Sequence, residues 1–163
     1  MAGRPVDALV NNAARGAPRA SLLEADPETI VTATEVNVAG PLRMVQALLP
    51  NLLSAPAPVV ANISSRLGSS TAQARGDFTS LSTSYAYRTS KAALNMLTIA
   101  MAHELEGRVR CWAVHPGVLA TAMGQAHATT SPDEAARRLV DLLSSDDRTS
   151  PRFCSLGEED LDW

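Results

Sequence analysis

The chain has 163 residues, of which 45% are hydrophobic and 19% are charged, and its formal net charge is -3. This composition is typical of a globular domain, and it excludes a disordered chain and a strongly basic nucleic-acid-binding protein. No apolar run approaches the roughly 20 residues that a membrane helix needs, and the first residues do not resemble a signal peptide, so we expect a cytoplasmic protein. Cys111, Cys154 and the dispersed histidines predict neither a disulfide framework nor a metal site.

Strand and helix patterns alternate in the first half of the chain. Residues 5–12 form a short apolar run that predicts a buried strand. Residues 28–49 follow a capping residue and a proline, and they predict a long helix that bends near Gly40 and Pro41. Residues 59–63 predict a second strand, and the Ser-, Thr- and Gly-rich stretch 64–84 predicts a long loop.

The alternation continues to the end of the chain. Residues 85–105 carry apolar side chains at helical spacing and predict a second helix, and residues 109–114 predict a third strand. Residues 131–143 open with a capping box and predict a third helix, which precedes a short strand at 152–156. Alternating strands and helices indicate an α/β fold with a parallel sheet, and we interpret residues 1–163 as one unit.

Tyr87 and Lys91 stand four residues apart at the start of the second predicted helix, so they share one helical face. A cation that favours the phenolate brings the tyrosine pKa down from about 10 toward neutrality, which suits a group that transfers protons. The alternative is an ordinary exposed pair on an amphipathic helix. Tyr85 has no lysine at the same spacing.

Polar residues follow the two neighbouring predicted strands. Ser64 and Ser65 come after the strand at 59–63, and His115-Pro116-Gly117 ends the strand at 109–114. Ligands of open α/β sheets bind at the carboxyl ends of the strands, so we expect Ser65, Tyr87 and Gly117 to converge on one cleft. There the Ser65 hydroxyl can hold a substrate carbonyl while Tyr87 donates a proton.

These motifs occur in an order that resembles the short-chain dehydrogenase/reductase family over nearly the whole chain. The residues that carry the likeness are Asn11-Asn12-Ala13-Ala14, Asn37, Ser65, Tyr87, Lys91 and Pro116-Gly117. Within the family, the chain resembles the branch of C-factor and sniffer-type carbonyl reductases. The segments that carry this likeness are residues 85–95, 115–118 and 121–124 and the terminal Trp163. The resemblance implies a Rossmann-like doubly wound parallel sheet.

The resemblance also implies a role for each matching residue. Tyr87 is expected to be the general acid/base, Lys91 to lower its pKa and hold the cofactor ribose, Ser65 to orient the carbonyl, and Asn37 to anchor a proton-relay water. The cofactor is expected to be NADP or NAD, with NADP favoured by analogy with carbonyl reductases. The residues expected beside its adenosine are Asn11, Asn12, Ala13 and Ala14, and those expected beside its nicotinamide are Pro116, Gly117, Val118 and Thr121.

The sequence lacks the family's first strand and Gly-rich turn, so we expect an N-terminally truncated sheet without its first βαβ units. Ala14 replaces the glycine that ends the family's Asn-Asn-Ala-Gly motif. Without the first strand, the strand at residues 6–10 leaves an apolar edge, and such edges pair with other chains. We therefore expect a homo-oligomer or a partner that completes the sheet.

Three functions fit these observations. The first is NAD(P)-dependent reduction of a carbonyl, or oxidation of an alcohol, on a small molecule through Ser65, Tyr87 and Lys91. The second is a redox-neutral acid/base reaction that uses the same residues. The third is a non-enzymatic interaction or regulatory protein that acts through the sheet edge or the helices. Neither nucleic acid nor a membrane is an expected partner.

Overall fold

The computed structural model describes residues 3–81, 84–119, 128, 130–156 and 160–163, which form an α/β fold. The strands are β1 (Ala8–Asn11), β2 (Val59–Ile63), β3 (Arg110–His115) and β4 (Arg152–Ser155). The helices are α1 (Glu28–Thr34), α2 (Gly40–Leu52), α3 (Ser70–Arg75), α4 (Tyr85–Glu104) and α5 (Pro132–Leu143). No helix within these ranges is long and apolar enough to span a membrane.

The four strands form one parallel sheet in the order β1-β2-β3-β4. The predicted parallel sheet is therefore confirmed, and β1 lies at one edge of it. All five residues of β2 are buried, as expected of a central strand covered on both faces. Parallel pairing brings the carboxyl ends of β1, β2 and β3 to the same end of the sheet, where the predicted polar residues follow.

Each face of the sheet carries its own hydrophobic core. On one face, α2 and α4 cover Leu9, Val60 and Cys111, and Leu52 is fully buried among them. On the other face, α5 covers a second cluster that contains the fully buried Trp112. Side chains alternate between the faces of a strand, so consecutive apolar residues of β2 and β3 supply both cores.

The predicted long helix is interrupted where the sequence suggested only a bend. A π-helical segment, Glu35–Ala39, separates α1 from α2 immediately before Gly40 and Pro41. Such segments insert one extra residue into a helical turn and are common at functional sites. Asn37 lies in this segment and is 1% exposed.

The predicted loop at 64–84 contains two helical pieces that the sequence analysis missed. A short 3₁₀ turn covers Arg66–Gly68, and α3 follows directly. Each begins with a serine whose hydroxyl accepts a backbone N–H bond, Ser65 from Leu67 and Ser69 from Ala72. A prediction based on apolar periodicity cannot detect pieces this short, although their capping serines are visible in the sequence.

Candidate active site

A cavity of about 1200 Å³ opens at the carboxyl ends of β1, β2 and β3. Most of the residues predicted for the site line this cavity. They are Asn12, Ala14, Ser65, Tyr87, Lys91, Pro116, Gly117 and Val118. Asn11, Ala13 and Asn37 are not among its lining residues, and Thr121 lies outside the described residues. The predicted convergence of the serine, the tyrosine and the Pro-Gly turn is therefore present.

The start of α4 positions the tyrosine and the lysine. The Ser84 hydroxyl accepts a hydrogen bond from the Tyr87 N–H at 3.1 Å, so the helix begins two residues before the phenol. Lys91 follows one turn later, and its Nζ lies over the Tyr87 ring, 5.7 Å from the ring centroid. The shared helical face predicted from their spacing places both side chains in the cavity wall.

The expected lowering of the Tyr87 pKa is not found in the structure. Burial of the phenol has the largest effect and raises the pKa, and the Ser65 hydroxyl, acting as a hydrogen-bonding partner, offsets part of this rise. The Lys91 ammonium lies over the ring, and it donates a 2.7 Å hydrogen bond to the carbonyl oxygen of Ile63. The phenol therefore remains protonated at neutral pH.

Lys91 is almost completely buried, with 1% of its surface exposed. Burial disfavours the charged form and lowers its pKa to about 8. A value so near neutrality lets the amine gain and lose a proton under ordinary conditions, which a surface lysine does not do. The bond to the Ile63 carbonyl fixes the amine at the end of β2.

The two consecutive serines have different roles. The Ser64 hydroxyl is buried and donates to the Asn95 side chain, so it is committed to the contact between β2 and α4. Ser65 caps the 3₁₀ turn through Leu67, and its hydroxyl interacts with Tyr87 at the cavity wall. This arrangement favours Ser65 as the hydroxyl that meets a ligand.

Gly68 sets the distance between the 3₁₀ turn and α4. A Cβ atom on this residue would lie 2.7 Å from the Lys91 carbonyl carbon and 2.8 Å from its oxygen, closer than real contacts allow. The Asn95 side chain donates to the Gly68 carbonyl at 3.1 Å and holds the turn in place. The sequence contained no pattern that identified this contact, because it joins backbone to backbone.

Asn37 holds the segment that follows β1. Its Oδ1 accepts from the Arg15 N–H at 2.7 Å, and its Nδ2 donates to the Arg15 carbonyl and to the Ser90 hydroxyl, each at 2.9 Å. Both N–H donors of the amide are therefore used within the chain. The predicted role of Asn37 as the anchor of a relay water stays a prediction, and the structure adds this positioning role.

Asn11 points into the protein instead of the cavity. Its amide donates to Asn62 Oδ1 at 2.8 Å, and the Asn62 amide donates to Thr98 Oγ1 at 2.9 Å. This chain of bonds joins β1, β2 and α4 beneath the cavity floor. The described residues contain no group of His, Cys, Asp or Glu side chains that could hold a metal ion.

A family model described as short chain dehydrogenase matches residues 2–132. The protein named C-signal of Myxococcus xanthus is 35% identical over 164 residues, a match that covers 98% of this chain and 93% of that protein. The chain spans about half to three fifths of the length of seven other curated relatives that it matches.

Solved structures of carbonyl reductases have the same fold. The carbonyl reductase Sniffer of D. melanogaster is 25% identical with a TM-score of 0.85, and the match covers 98% of this chain and 67% of that one. The NADPH-bound carbonyl reductase from chicken fatty liver is 26% identical with a TM-score of 0.87, and the match covers 99% of this chain and 67% of that one.

Replacing Gly68 with alanine is expected to destabilise the chain by roughly 1–3 kcal/mol, because the added methyl meets the Lys91 backbone, which cannot move aside. Gly40→Ala is the matched control, since its Cβ would lie 3.8 Å from the nearest atom and alanine favours a helix by up to about 1 kcal/mol. Urea unfolding measures both, and equal midpoints for the two variants would contradict the close contact at Gly68.

Lys91 is expected to give the chain a distinctive dependence of stability on pH. Its pKa is about 8 in the folded chain against 10.5 for an exposed lysine, so between these values the unfolded chain binds more protons and stability rises with pH. The cost of the buried ammonium is full below pH 8 and declines above it. Lys91→Met removes the charge and keeps most of the stem.

We expect the unfolding free energy of the natural chain to gain on the order of 1 kcal/mol relative to Lys91→Met between about pH 7 and pH 9. Comparing the two proteins cancels the other groups that titrate in this range. Urea unfolding at a series of pH values measures both proteins. A difference in unfolding free energy that does not change with pH would show that the Lys91 pKa is not lowered.

Proposed function

The chain belongs to the short-chain dehydrogenase family, and from this membership we propose that it is an NAD(P)-dependent oxidoreductase that reduces the carbonyl group of a small molecule. The observation that carries the proposal is that Ser65, Tyr87 and Lys91 line one cavity together with the turn at Pro116–Val118. The carbonyl reductases that share the fold, one of them NADPH-bound, support both the reaction class and the cofactor.

The cavity suits a dinucleotide, because its charge fits an anion and the backbone at Gly117 can come close to a ligand. Its described lining contains cationic and neutral side chains and no carboxylate. Gly117 has φ +90, a conformation that side chains other than glycine rarely adopt, and it lets the chain backbone border the cavity. Asn12 and Ala14 would lie on the adenosine side, and Pro116, Gly117 and Val118 on the nicotinamide side. A bound nicotinamide nucleotide would supply the hydride to the carbonyl carbon.

The residues of the chain would supply orientation and the proton. The Ser65 hydroxyl donates a hydrogen bond to the carbonyl oxygen and places it beside the Tyr87 phenol. The phenol donates its proton to that oxygen as negative charge develops there. With its pKa raised, the phenol is protonated at neutral pH, which is the form that can donate a proton. Lys91 adjoins the phenol and stabilises the phenolate that remains.

Tyr87→Phe is expected to lower the turnover of a carbonyl substrate with NADPH by roughly a hundredfold to ten-thousandfold, because it removes the proton donor. NADPH affinity, measured by calorimetry, should change little. Tyr85→Phe is the matched control: Tyr85 lies two residues earlier on α4 with 45% of its surface exposed, and its loss should leave turnover unchanged. Turnover that survives in Tyr87→Phe would refute the assignment of Tyr87.

A second candidate is the non-enzymatic interaction role. It is favoured by the match to the M. xanthus protein named C-signal, whose length this chain nearly spans, whereas the chain spans only about half of several dehydrogenase relatives. Under this alternative, the titration of the natural chain with NADPH and NADH gives no binding up to millimolar concentrations. Under the redox-neutral alternative, turnover would depend on Tyr87 and would need no nucleotide.

We also propose that the chain self-associates through the edge strand β1. In the described residues β1 pairs on one side only, with β2, and Val10 is 37% exposed. An unpaired strand edge with apolar side chains is a template for another strand. Sedimentation equilibrium should find dimers or larger species that Ala8→Lys reduces to monomers, because Ala8 is exposed on β1 and does not line the cavity. A natural chain that stays monomeric at high concentration would rule this out.

A further inference from the structure

The cavity has an electrostatic character opposite to that of the whole chain. The chain carries a formal net charge of -3, whereas the described cavity lining holds three cations and no Asp or Glu. The cations are Arg19, Arg66 and Lys91. A cleft lined by charge of one sign concentrates ligands of the other sign. Since Lys91 is bonded to Ile63 beneath Tyr87, the two arginines are the cations free to meet a ligand directly.

Arg66 is the cation that lies nearest in sequence to the reacting groups. It follows Ser65 directly and is the first residue of the 3₁₀ turn. Its guanidinium lies over the Phe78 ring, 5.6 Å from the ring centroid, a contact that limits its positions. Among the described residues, no carboxylate pairs with it. A half-buried guanidinium without an anion is suited to hold a carboxylate through two parallel hydrogen bonds.

His115, the last residue of β3, lines the same cavity as Arg66. The imidazole lines the cavity and is 8% exposed, and its Nδ1 has no hydrogen-bond partner among the described residues. Burial, and then the positive charge of Arg66, lower the pKa of His115 to about 4. The ring is therefore neutral, which leaves Arg66 as the only charge at this point of the described wall. The Nδ1 atom of His115 is therefore open to a hydrogen bond from a polar group of a ligand.

The remaining wall of the cavity is apolar. Leucine and alanine side chains from α5, from the residue after β4 and from the loop before α4 line the cavity. They are Leu81, Ala135, Ala136, Leu139 and Leu156. A ligand that fits both walls has an apolar body and one anionic group.

We propose that the substrate is an oxo acid, an apolar carbonyl compound whose carboxylate binds the Arg66 guanidinium beside His115. This inference rests on the proposed carbonyl reduction at Ser65 and Tyr87, and it assigns to Arg66 the selection of the substrate. Arg66 and Ser65 line the same cavity, so one substrate would offer its carboxylate to Arg66 and its carbonyl to Ser65. Arg66 takes no part in the transfer of the proton or the hydride.

The test compares benzoylformate with benzoylformamide, which replaces the carboxylate by a neutral amide of similar shape. Each probe is measured with the natural chain, Arg66→Gln, Arg66→Lys and the control Arg43→Gln. Arg43 is an exposed arginine that pairs with Glu35 and does not line the cavity. The readouts are kcat/KM with NADPH and the calorimetric affinity of each probe.

Loss of a charged hydrogen-bonding partner is expected to lower kcat/KM and affinity for benzoylformate by roughly tenfold to a hundredfold in Arg66→Gln. For benzoylformamide, kcat/KM and affinity in Arg66→Gln should stay within about twofold of those of the natural chain. The affinity for NADPH should stay within the same range. Arg66→Lys keeps the charge without the planar fork of donors, so its loss should be intermediate. Arg43→Gln should match the natural chain with both probes.

The outcomes separate this inference from the proposed function. If neither probe is reduced, but calorimetry finds a preference for the carboxylate that Arg66→Gln abolishes, carbonyl reduction fails and the anion site stands. If both probes are reduced and Arg66→Gln leaves their ratio unchanged, the oxo-acid proposal is overturned. Weaker NADPH binding in Arg66→Gln with an unchanged ratio also overturns it, because Arg66 would then serve the nucleotide.

Discussion

The buried Lys91 ammonium is the constraint on which the rest of the site depends. Taking a charge almost completely out of water costs several kcal/mol unless it is bonded, and in the described residues its partner is the Ile63 carbonyl at 2.7 Å. That bond forms only if α4 lies directly against the end of β2. The 3₁₀ turn must then pass so close to the Lys91 backbone that only glycine fits at position 68. The burial of Lys91, the need for glycine at position 68 and the position of Ser65 thus all arise from the packing of α4 against the end of β2.

The same face of α4 continues as a row of buried polar side chains. Asn95 and Thr98 follow Lys91 at spacings of four and seven residues, and they bond to Ser64, Gly68 and Asn62. An apolar face would tolerate small shifts of the helix along the sheet, whereas these directional bonds are satisfied in one register. The apolar residues of α4 stabilise the helix against the sheet, and the polar row determines where along β2 it sits.

The sequence predicted those features that arise from regular spacing. The strands follow from short apolar runs, and the helices and the common face of Tyr87 and Lys91 follow from the helical period of 3.6 residues. Their alternation predicts the parallel sheet, and the motif order added the family. The π-helical segment, α3 and the Gly68 contact do not follow, because they depend on tertiary packing. Arg66 and His115 line one cavity because β2 and β3 are neighbours in the sheet, and a single sequence carries no signal of that pairing. The inward orientation of Asn11 was hidden for the same reason.

The structure also changes the role expected of Lys91. A lysine that lowered the Tyr87 pKa before the reaction would decrease the fraction of the phenol that is protonated at neutral pH. The buried phenol instead has a raised pKa and stays protonated. Burial makes the phenolate unfavourable, so the step that creates it needs a nearby cation. In the proposed reaction the Lys91 Nζ, 5.7 Å from the ring centroid, would supply that cation, since its pKa of about 8 leaves it mostly charged at neutral pH. A substrate carboxylate would oppose the forming phenolate, and under the oxo-acid proposal the positive charge of Arg66 would neutralise that carboxylate before the proton moves.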